Sequence, residues 1–363
     1  MTTGPVLDEP LRHLFRILRD VSHVEKMRLA DWNGVLVLAR QARLLGSIAS
    51  RILARQDLAD HIPERVRGHL MASINYSAHR LQMVRMELAV LSDALPAEVP
   101  VTLLKGAAYI VEGLPLAQGR MPNDVDLLVP RAHLGIAEAA LRDGGWEMEN
   151  VDEYDQQYYR QWSHELPPMR IPGHALEVDL HHTIAPVTSR VRANDTALFS
   201  ALVPVEGTRF SVLSRHDQII HAAIHLFQDS ELVGKLRDLV DIDALYRSSI
   251  LDQQACDRLW KRAAQHGATT PLWYALNYSR SWLGTPVPAD PPGIEPSWLA
   301  RAMTGWLFRH VCPPRIFERG KTPSRVLVEL AAQARYHWLR MPPALLVRHL
   351  GHKSMTAVRS IIR

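Results

Sequence analysis

The chain has 363 residues, of which 47% are hydrophobic and 22% charged, and its formal net charge is +4. This composition is typical of a globular protein with room for two or three domains. No stretch approaches the roughly eighteen uninterrupted apolar residues of a transmembrane helix, and the charged first twenty residues lack a signal-peptide core.

The N-terminal part of the chain is predicted to be helical over 8–95. Apolar residues recur at helical spacing in 32–56, and Pro63 opens a second long helical segment. The period changes after Pro96. From there the predicted elements are a strand at 99–106 ending in Gly, a short helix at 107–114, a loop at 119–123, a strand at 124–130, a helix at 131–145 and a strand at 146–150.

A hairpin is predicted next, with strands at 165–171 and 175–184. Two prolines in the first strand would place it at a sheet edge. The helical period returns at about 214, and the remaining predicted helices are 214–229, 231–249, 252–266, 270–283, 296–311 and 323–340. The Pro-rich stretch 285–296 is predicted to be a linker or surface loop.

These elements predict an α+β fold in which a mixed sheet, at roughly 90–180, lies between two helical regions. We divide the chain into an N-terminal helical region (1–95), a sheet-containing core (96–212) and a C-terminal helical region (213–363). The last region ends in a basic segment, because residues 301–363 hold twelve Lys and Arg but only two acids. Such a segment could contact nucleic acid, an anionic membrane face or the acidic body of its own chain.

The two cysteines, Cys256 and Cys312, fit no zinc or redox spacing. A reducing compartment is therefore expected, and a bacterial cytoplasm would suit the chain.

Asp124 and Asp126 stand one residue apart at the start of a predicted strand. Residues at i and i+2 of a strand point to the same face, and two carboxylates that close repel each other unless a cation lies between them. Mg²⁺ binds a few carboxylates together with substrate phosphate oxygens. The D-x-D pattern therefore predicts one side of a metal site, although a lone D-x-D more often marks a solvated surface.

Two further stretches strengthen the prediction. The preceding strand ends in Lys105-Gly106, where Gly permits close approach of a phosphate, the helix start offers unpaired N–H groups and Lys adds a positive charge. A later strand carries Asp179, with Glu177 and His181 on the same face. Three carboxylates on adjacent strands beside a Gly turn suit phosphoryl or nucleotidyl transfer, in which one carboxylate could help to deprotonate the attacking hydroxyl.

The pattern "LLKGAAYI…GRMPNDVDLLV…ALEVDLHH" resembles the uncharacterised bacterial nucleotidyltransferases of the DNA polymerase beta superfamily over about 100–182. The resemblance implies a minimal nucleotidyltransferase fold. It also implies that Asp124, Asp126 and Asp179 are the catalytic carboxylates that hold the metals, Mg²⁺ or alternatively Mn²⁺. Lys105 and Gly106 stand where most members of the superfamily have Gly-Ser, and the Lys charge is expected to replace that contact with the triphosphate.

Several other residues are candidates for substrate contacts. Arg120 matches an arginine of the family pattern and could bind phosphate, or it could pair with Asp124 or solvent. His181 could contact metal or substrate, or be structural. In 235–247, Lys235 and Asp238 share a helix face, with Arg237 or Asp241 beside them. The resemblance gives this patch a place beside the nucleotide, whereas ordinary helical ion pairs are the alternative.

Other conspicuous residues are predicted to be core. His221 and His225 have i,i+4 spacing but lack the Glu of a zinc-binding helix, so we expect buried histidines. The same expectation of burial applies to five tryptophans of the C-terminal region: Trp260, Trp273, Trp282, Trp298 and Trp306.

The leading prediction is a Mg²⁺-dependent nucleotidyltransferase that moves NMP from an NTP to a hydroxyl or phosphate acceptor. The acceptor could be a small metabolite, a sugar, a peptide, a protein side chain or an RNA end. One alternative is a degenerate member that binds nucleotide or a partner protein without turnover. Another is a glycosyltransferase that uses D-x-D to hold a sugar nucleotide.

Overall fold

A computed structural model describes residues 8–150, 152–288, 295–316, 322–349 and 351. The N-terminal region is helical, as predicted. Asp8 caps the first helix by accepting a hydrogen bond from Leu11 N at 3.0 Å, which satisfies a backbone donor that has no partner within the helix. The helices of this region are α1 (Glu9–Arg19), α2 (Leu29–Gln41), α3 (Leu45–Leu53), α4 (Gln56–Ala59) and α5 (Glu64–Ala94).

The middle of the chain forms one mixed sheet of seven strands in the order β3-β4-β5-β2-β1-β7-β6. The pairs β2–β5 and β1–β7 are parallel, and the other pairs are antiparallel. The strands are β1 (Val101–Leu103), β2 (Asp124–Leu128), β3 (Glu147–Met148), β4 (Met169–Arg170), β5 (Glu177–His181), β6 (Val203–Pro204) and β7 (Phe210–Val212). The helices between them are α6 (Lys105–Val111), α7 (Leu134–Asp143), α8 (Glu153–Gln161) and α9 (Asp195–Ser200). The predicted α+β class is confirmed.

The sheet differs from the prediction at three places. β1 stops at Leu103, and α6 begins at Lys105 rather than after Gly106, because Leu104 already has the extended backbone of a helix N-cap. The predicted hairpin forms, but β4 is not an edge strand: it pairs with β3 on its outer side, through residues that follow the two prolines. The sheet also extends to residue 212, since β7 pairs with β1.

The C-terminal region is helical, and Ser214 caps its first helix. The second helix begins only at Leu236, because Gly234 turns the chain with a φ of 67°. The helices are α10 (Arg215–Phe227), α11 (Leu236–Ser249), α12 (Gln253–Gln265), α13 (Thr269–Tyr278), α14 (Trp298–Val311) and α15 (Pro323–Arg340). No helix of the described residues is long and apolar enough to cross a membrane.

The C-terminal core matches the prediction in part. Trp260, Trp273 and Trp282 are buried. Trp298 and Trp306 are 72% and 41% exposed, so their prediction as core residues was wrong: they lie on a face of α14 that the described residues leave uncovered. Both cysteines are buried and unpaired.

The basic segment contacts the body of the chain through α15. Arg340 Nε lies 3.0 Å from Asp229 Oδ1, and Arg335 donates to the carbonyl of Phe227 at 2.7 Å. Residues 317–321, 350 and 352–363 of this segment lie outside the described residues.

Candidate active site

The parallel pairing of β2 and β5 places the predicted acids side by side. Asp126 is directly opposite Asp179, Asp124 is opposite Glu177, and Leu128 is opposite His181. Alternation along each strand turns Val125 and Leu127 toward the buried opposite face. One face of the sheet therefore carries Asp124, Asp126 and Asp179 together.

Asp126 is the best-satisfied of the three carboxylates. Its Oδ1 accepts from Lys105 Nζ at 2.7 Å and lies 3.0 Å from His181 Nε2. Burial opposes the ionisation of Asp126, but the Lys105 ammonium and His181 outweigh it and hold the pKa of Asp126 well below its usual range. Asp126 is therefore a fixed negative charge.

The carboxylates of Asp179 and Asp124 have fewer hydrogen bonds and ion pairs to balance their negative charge. Asp179 Oδ1 is buried and has no hydrogen-bond partner among the described residues. Burial, followed by repulsion from Asp126, raises the pKa of Asp179 to about 7. The same two causes raise the pKa of Asp124, against the opposing charges of Lys105, Arg237 and Arg120, although Asp124 itself stands at the exposed start of β2 and burial therefore acts on it less than on Asp179. An unpartnered carboxylate oxygen beside two other carboxylates has the chemistry of a divalent-cation site, but the three aspartates are not among the groups of described residues whose ligand atoms already lie close enough together to hold an ion.

Lys105 and Gly106 form the turn that leads from β1 into α6. Lys105 has a φ of 45°, in the left-handed region, and the backbone N–H of the preceding residue, Leu104, bonds to the carbonyl of Asp126 at 3.0 Å. A Cβ on Gly106 would lie 3.3 Å from Arg120 Nε. The turn is thus packed tightly against the D-x-D strand, and its ammonium group is bound to Asp126.

Arg120 is buried, and its Nη1 donates to Asp241 on α11. Its guanidinium also lies 5.2 Å above the centre of the Tyr109 ring. Burial lowers the tendency of Arg120 to be charged, but Asp241 outweighs it and the pKa of Arg120 is raised. The observed partner is therefore neither Asp124 nor solvent, and the predicted phosphate contact of Arg120 stays a prediction. The pair instead fastens the loop before β2 to α11.

The other predicted residues of α11 lie at the N-terminal end of that helix. Lys235 Nζ and His225 Nε2 are each 3.8 Å from Asp238 Oδ2, and Arg237 Nε is 3.7 Å from Asp238 Oδ1. The positive charge of Arg237 acts on Asp124 and offsets part of the rise in its pKa. Arg237 is therefore the member of this patch with the clearest link to the D-x-D.

His221 is a core histidine, as predicted, whereas the His225 side chain is 26% exposed and lies beside Asp238, so the prediction of burial is confirmed for His221 only. Burial holds the pKa of both well below the usual range, so they are neutral. Neither belongs to a group of potential metal ligands within the described residues.

A cluster of His164, Glu165 and His181 borders the three aspartates, and the sequence pattern singled out only its last member. Glu165 Oε2 lies 3.5 Å from His181 Nε2 and 3.6 Å from His164 Nε2, and the three ligand atoms are close enough to hold a metal ion. His164 Nε2 is also 3.2 Å from Asp229, which pairs with Arg340 of α15. Glu165 and His181 face each other in an isolated antiparallel β-bridge across the hairpin, and no spacing in the sequence predicts this contact.

A model of the uncharacterised nucleotidyltransferase family matches residues 28–284. The match extends from the residue before α2 to the end of the helical turn that continues α13, so it includes every strand of the sheet and omits α14 and α15. Searches of curated proteins and of solved structures found no match.

Proposed function

The chain belongs to the uncharacterised nucleotidyltransferase family, and on that premise we propose a metal-dependent transfer of NMP from an NTP to a hydroxyl or phosphate acceptor. We further propose that the family is part of the DNA polymerase beta-like superfamily. The acceptor classes are those open from the sequence: a small metabolite, a sugar, a peptide, a protein side chain or an RNA end.

The observation that carries the proposal is the pairing of Asp126 with Asp179 across β2 and β5. A structural pair of acids would be bonded to cations or backbone donors throughout, since a buried carboxylate without partners is costly. Here Asp179 Oδ1 has no partner among the described residues. The arrangement supports a site that is completed by a ligand.

The residues of the site have three proposed tasks: to hold the metal ion, to balance charge and to accept a proton. Asp124, Asp126 and Asp179 would hold Mg²⁺, or alternatively Mn²⁺, which supplies neutralisation and alignment of the substrate phosphates. Lys105 neutralises part of the negative charge at Asp126 Oδ1. We assign to Asp179 Oδ1, which has no hydrogen-bond partner among the described residues, the acceptance of the proton from the attacking hydroxyl.

The proposal is tested with α-³²P-labelled NTPs, Mg²⁺ or Mn²⁺, and a panel of acceptors drawn from each class. Label transfer is expected for the wild type and should be lost in Asp124→Asn, Asp126→Asn and Asp179→Asn. Asp143→Asn, an exposed carboxylate at the end of α7, is the matched control and should retain transfer. Absence of both NTP binding and label transfer by the wild type would contradict the proposal.

Two measurements separate the alternative functions, the label-transfer assay and a thermal shift assay. A degenerate protein would bind NTP normally and transfer no label to any acceptor class. A glycosyltransferase would be stabilised more by a sugar nucleotide with Mn²⁺ than by an NTP, which a thermal shift assay measures directly.

A further inference from the structure

A polar cavity of about 440 Å³ opens between the N-terminal helices and the loop that leads into β2. Its lining includes Arg40, Arg43, His69, Tyr76 and Asn123, and none of its lining residues is acidic. Asn123 directly precedes Asp124. The cavity therefore lies next to the D-x-D but is built mainly from another region of the chain.

Arg43 is held beside the D-x-D by a direct contact. In the amide orientation that satisfies both groups, the Asn123 side-chain oxygen accepts from the two terminal nitrogens of Arg43 at 3.1 and 3.2 Å. Arg43 is also close enough to Arg237 to lower the pKa of that residue, after burial and Arg120. The charges of Arg120 and Arg237 thus act on Asp124, and Arg43 contacts Asn123, the residue before it.

Arg43 and Arg40 are exposed, and within the described part of the chain no acid neutralises the charge on Arg43. No carboxylate of the described residues lies within ion-pair distance of Arg43 or of Arg40, and Arg40 bonds only to His69 Nδ1, at 3.0 Å. Arg120, by contrast, forms an ion pair with Asp241. Adjacent arginines without an acid are the donor set that binds a phosphoryl group, because a guanidinium offers two parallel N–H groups to its oxygens.

The backbone of Arg43 is a second, independent observation. Arg43 follows the C-cap of α2 and has a φ of 55°, a position at which glycine is the commonest residue because it has no Cβ. Only three non-glycine residues in the described part of the chain have a positive φ: Arg43, Lys105 and Leu232. Two of these are the cations that flank the D-x-D, and strained backbone tends to persist where function requires the side chain.

We propose that the cavity beside Asn123 is a phosphoryl-binding subsite of the active site, with Arg43 as its main ligand and Arg40 as its second cation. The inference rests on the proposed function, which it deepens by assigning the N-terminal helices to substrate binding. The phosphoryl group belongs either to the triphosphate of the nucleotide or to a phosphorylated acceptor, and the two sources share the same recognition chemistry.

Isothermal titration calorimetry with two probes distinguishes these sources. Inorganic tripolyphosphate stands for the nucleotide tail. Inorganic phosphate, titrated into protein saturated with a non-hydrolysable ATP analogue, stands for the acceptor group. The subsite binds the nucleotide if tripolyphosphate binds and the analogue displaces it, and it binds the acceptor if phosphate binds to the saturated protein.

The decisive variant is Arg43→Gly, because glycine accepts the backbone conformation while removing the charge. Affinity for the subsite's probe should fall about ten- to a hundredfold, as expected for loss of a charge-assisted hydrogen bond. The melting temperature should not fall, since the strain is relieved. Arg40→Gln should weaken binding less, and Arg258→Gln, an exposed arginine on α12, should leave it unchanged.

Two results would overturn the inference: wild-type protein that binds neither probe, or Arg43→Gly protein that binds both within about twofold of wild type. The failure of the proposed function is recognised separately. Arg43-dependent binding of phosphate or tripolyphosphate without any binding or turnover of NTP would leave the subsite in place and remove the nucleotidyltransferase proposal.

Discussion

Lys105 Nζ lies 2.7 Å from Asp126 Oδ1, so an ammonium group from the β1–α6 turn already neutralises one of the acids on β2. Lys105 follows β1, the antiparallel neighbour of the strand that carries Asp126. Their contact explains how the chain keeps Asp126 charged although it is buried, and it makes Lys105 part of the stability of the site as well as of its charge balance.

Replacing Lys105 with Met should destabilise the protein by about 2–4 kcal/mol at neutral pH, because Asp126 would keep His181 alone as a partner. Urea unfolding measures this change. Excess Mg²⁺ should then raise the melting temperature of the variant more than that of wild type, since a second cation can take over the neutralisation. Lys261→Met, at an exposed position on α12, controls for the loss of a lysine and should change neither quantity.

Asp179→Asn should affect activity and stability in opposite directions. The pKa of Asp179 in the folded protein is about 7, above the ordinary aspartate value of 3.8. Folded protein therefore binds more protons than unfolded protein between these values, and stability falls as pH rises from about 4 to 7. In metal-free buffer at pH 8, Asp179→Asn should be about 1–3 kcal/mol more stable than wild type, yet inactive with NTP.

The pH dependence provides the check on this prediction. Well below pH 3.8, where Asp179 is protonated in both states, the two proteins should unfold at the same urea concentration. A constant difference across the whole pH range would indicate a packing change instead of the titration of Asp179.

Gly46 and Gly119 form a backbone contact that should tolerate no side chain. A Cβ on Gly46 would lie 2.2 Å from the carbonyl oxygen of Gly119, a rigid backbone atom. Gly46→Ala should therefore destabilise the protein by about 1–3 kcal/mol and reduce NTP turnover, because the strained loop continues to the D-x-D. Gly68→Ala is the matched control: nothing lies within 4 Å of its Cβ, and a helical Gly→Ala change stabilises by up to about 1 kcal/mol.

The Arg120–Asp241 pair should show strong coupling. Arg120→Met or Asp241→Leu alone leaves a buried charge without its partner and should cost about 3–5 kcal/mol, whereas the double variant should lose clearly less than the sum. A double-mutant cycle in urea measures the difference. If the two single effects simply add, the contact does not hold α11 against the loop before β2.

The three carboxylates could be predicted because their geometry is local. Alternation within a strand fixes the shared face of Asp124 and Asp126, and only the pairing of two strands is needed to add Asp179. The charged residues that surround these carboxylates could not be predicted, because their contacts are not local. Arg120 meets Asp241 across 121 residues, and Glu165 meets His181 through a hairpin whose register depends on two prolines and a turn.

The parts of the fold that were missed have similar causes. β6 and β7 have two and three residues, too few to display a period of two, and β7 is stabilised by its parallel partner β1. Trp298 and Trp306 lie on a helix whose spacing alone predicted burial, because spacing identifies an apolar face but not whether another element covers it.

The contacts of α15 connect the C-terminal segment to the three aspartates, although the family match ends at residue 284. Ionisable side chains lead inward from Arg340 through Asp229, His164, Glu165 and His181 to Asp126. A chain trimmed to the matched residues would lose Arg340 and leave Asp229 paired with His164 at the outer end of this series. The balance of charge beside the three aspartates would then differ between the trimmed and the full chain.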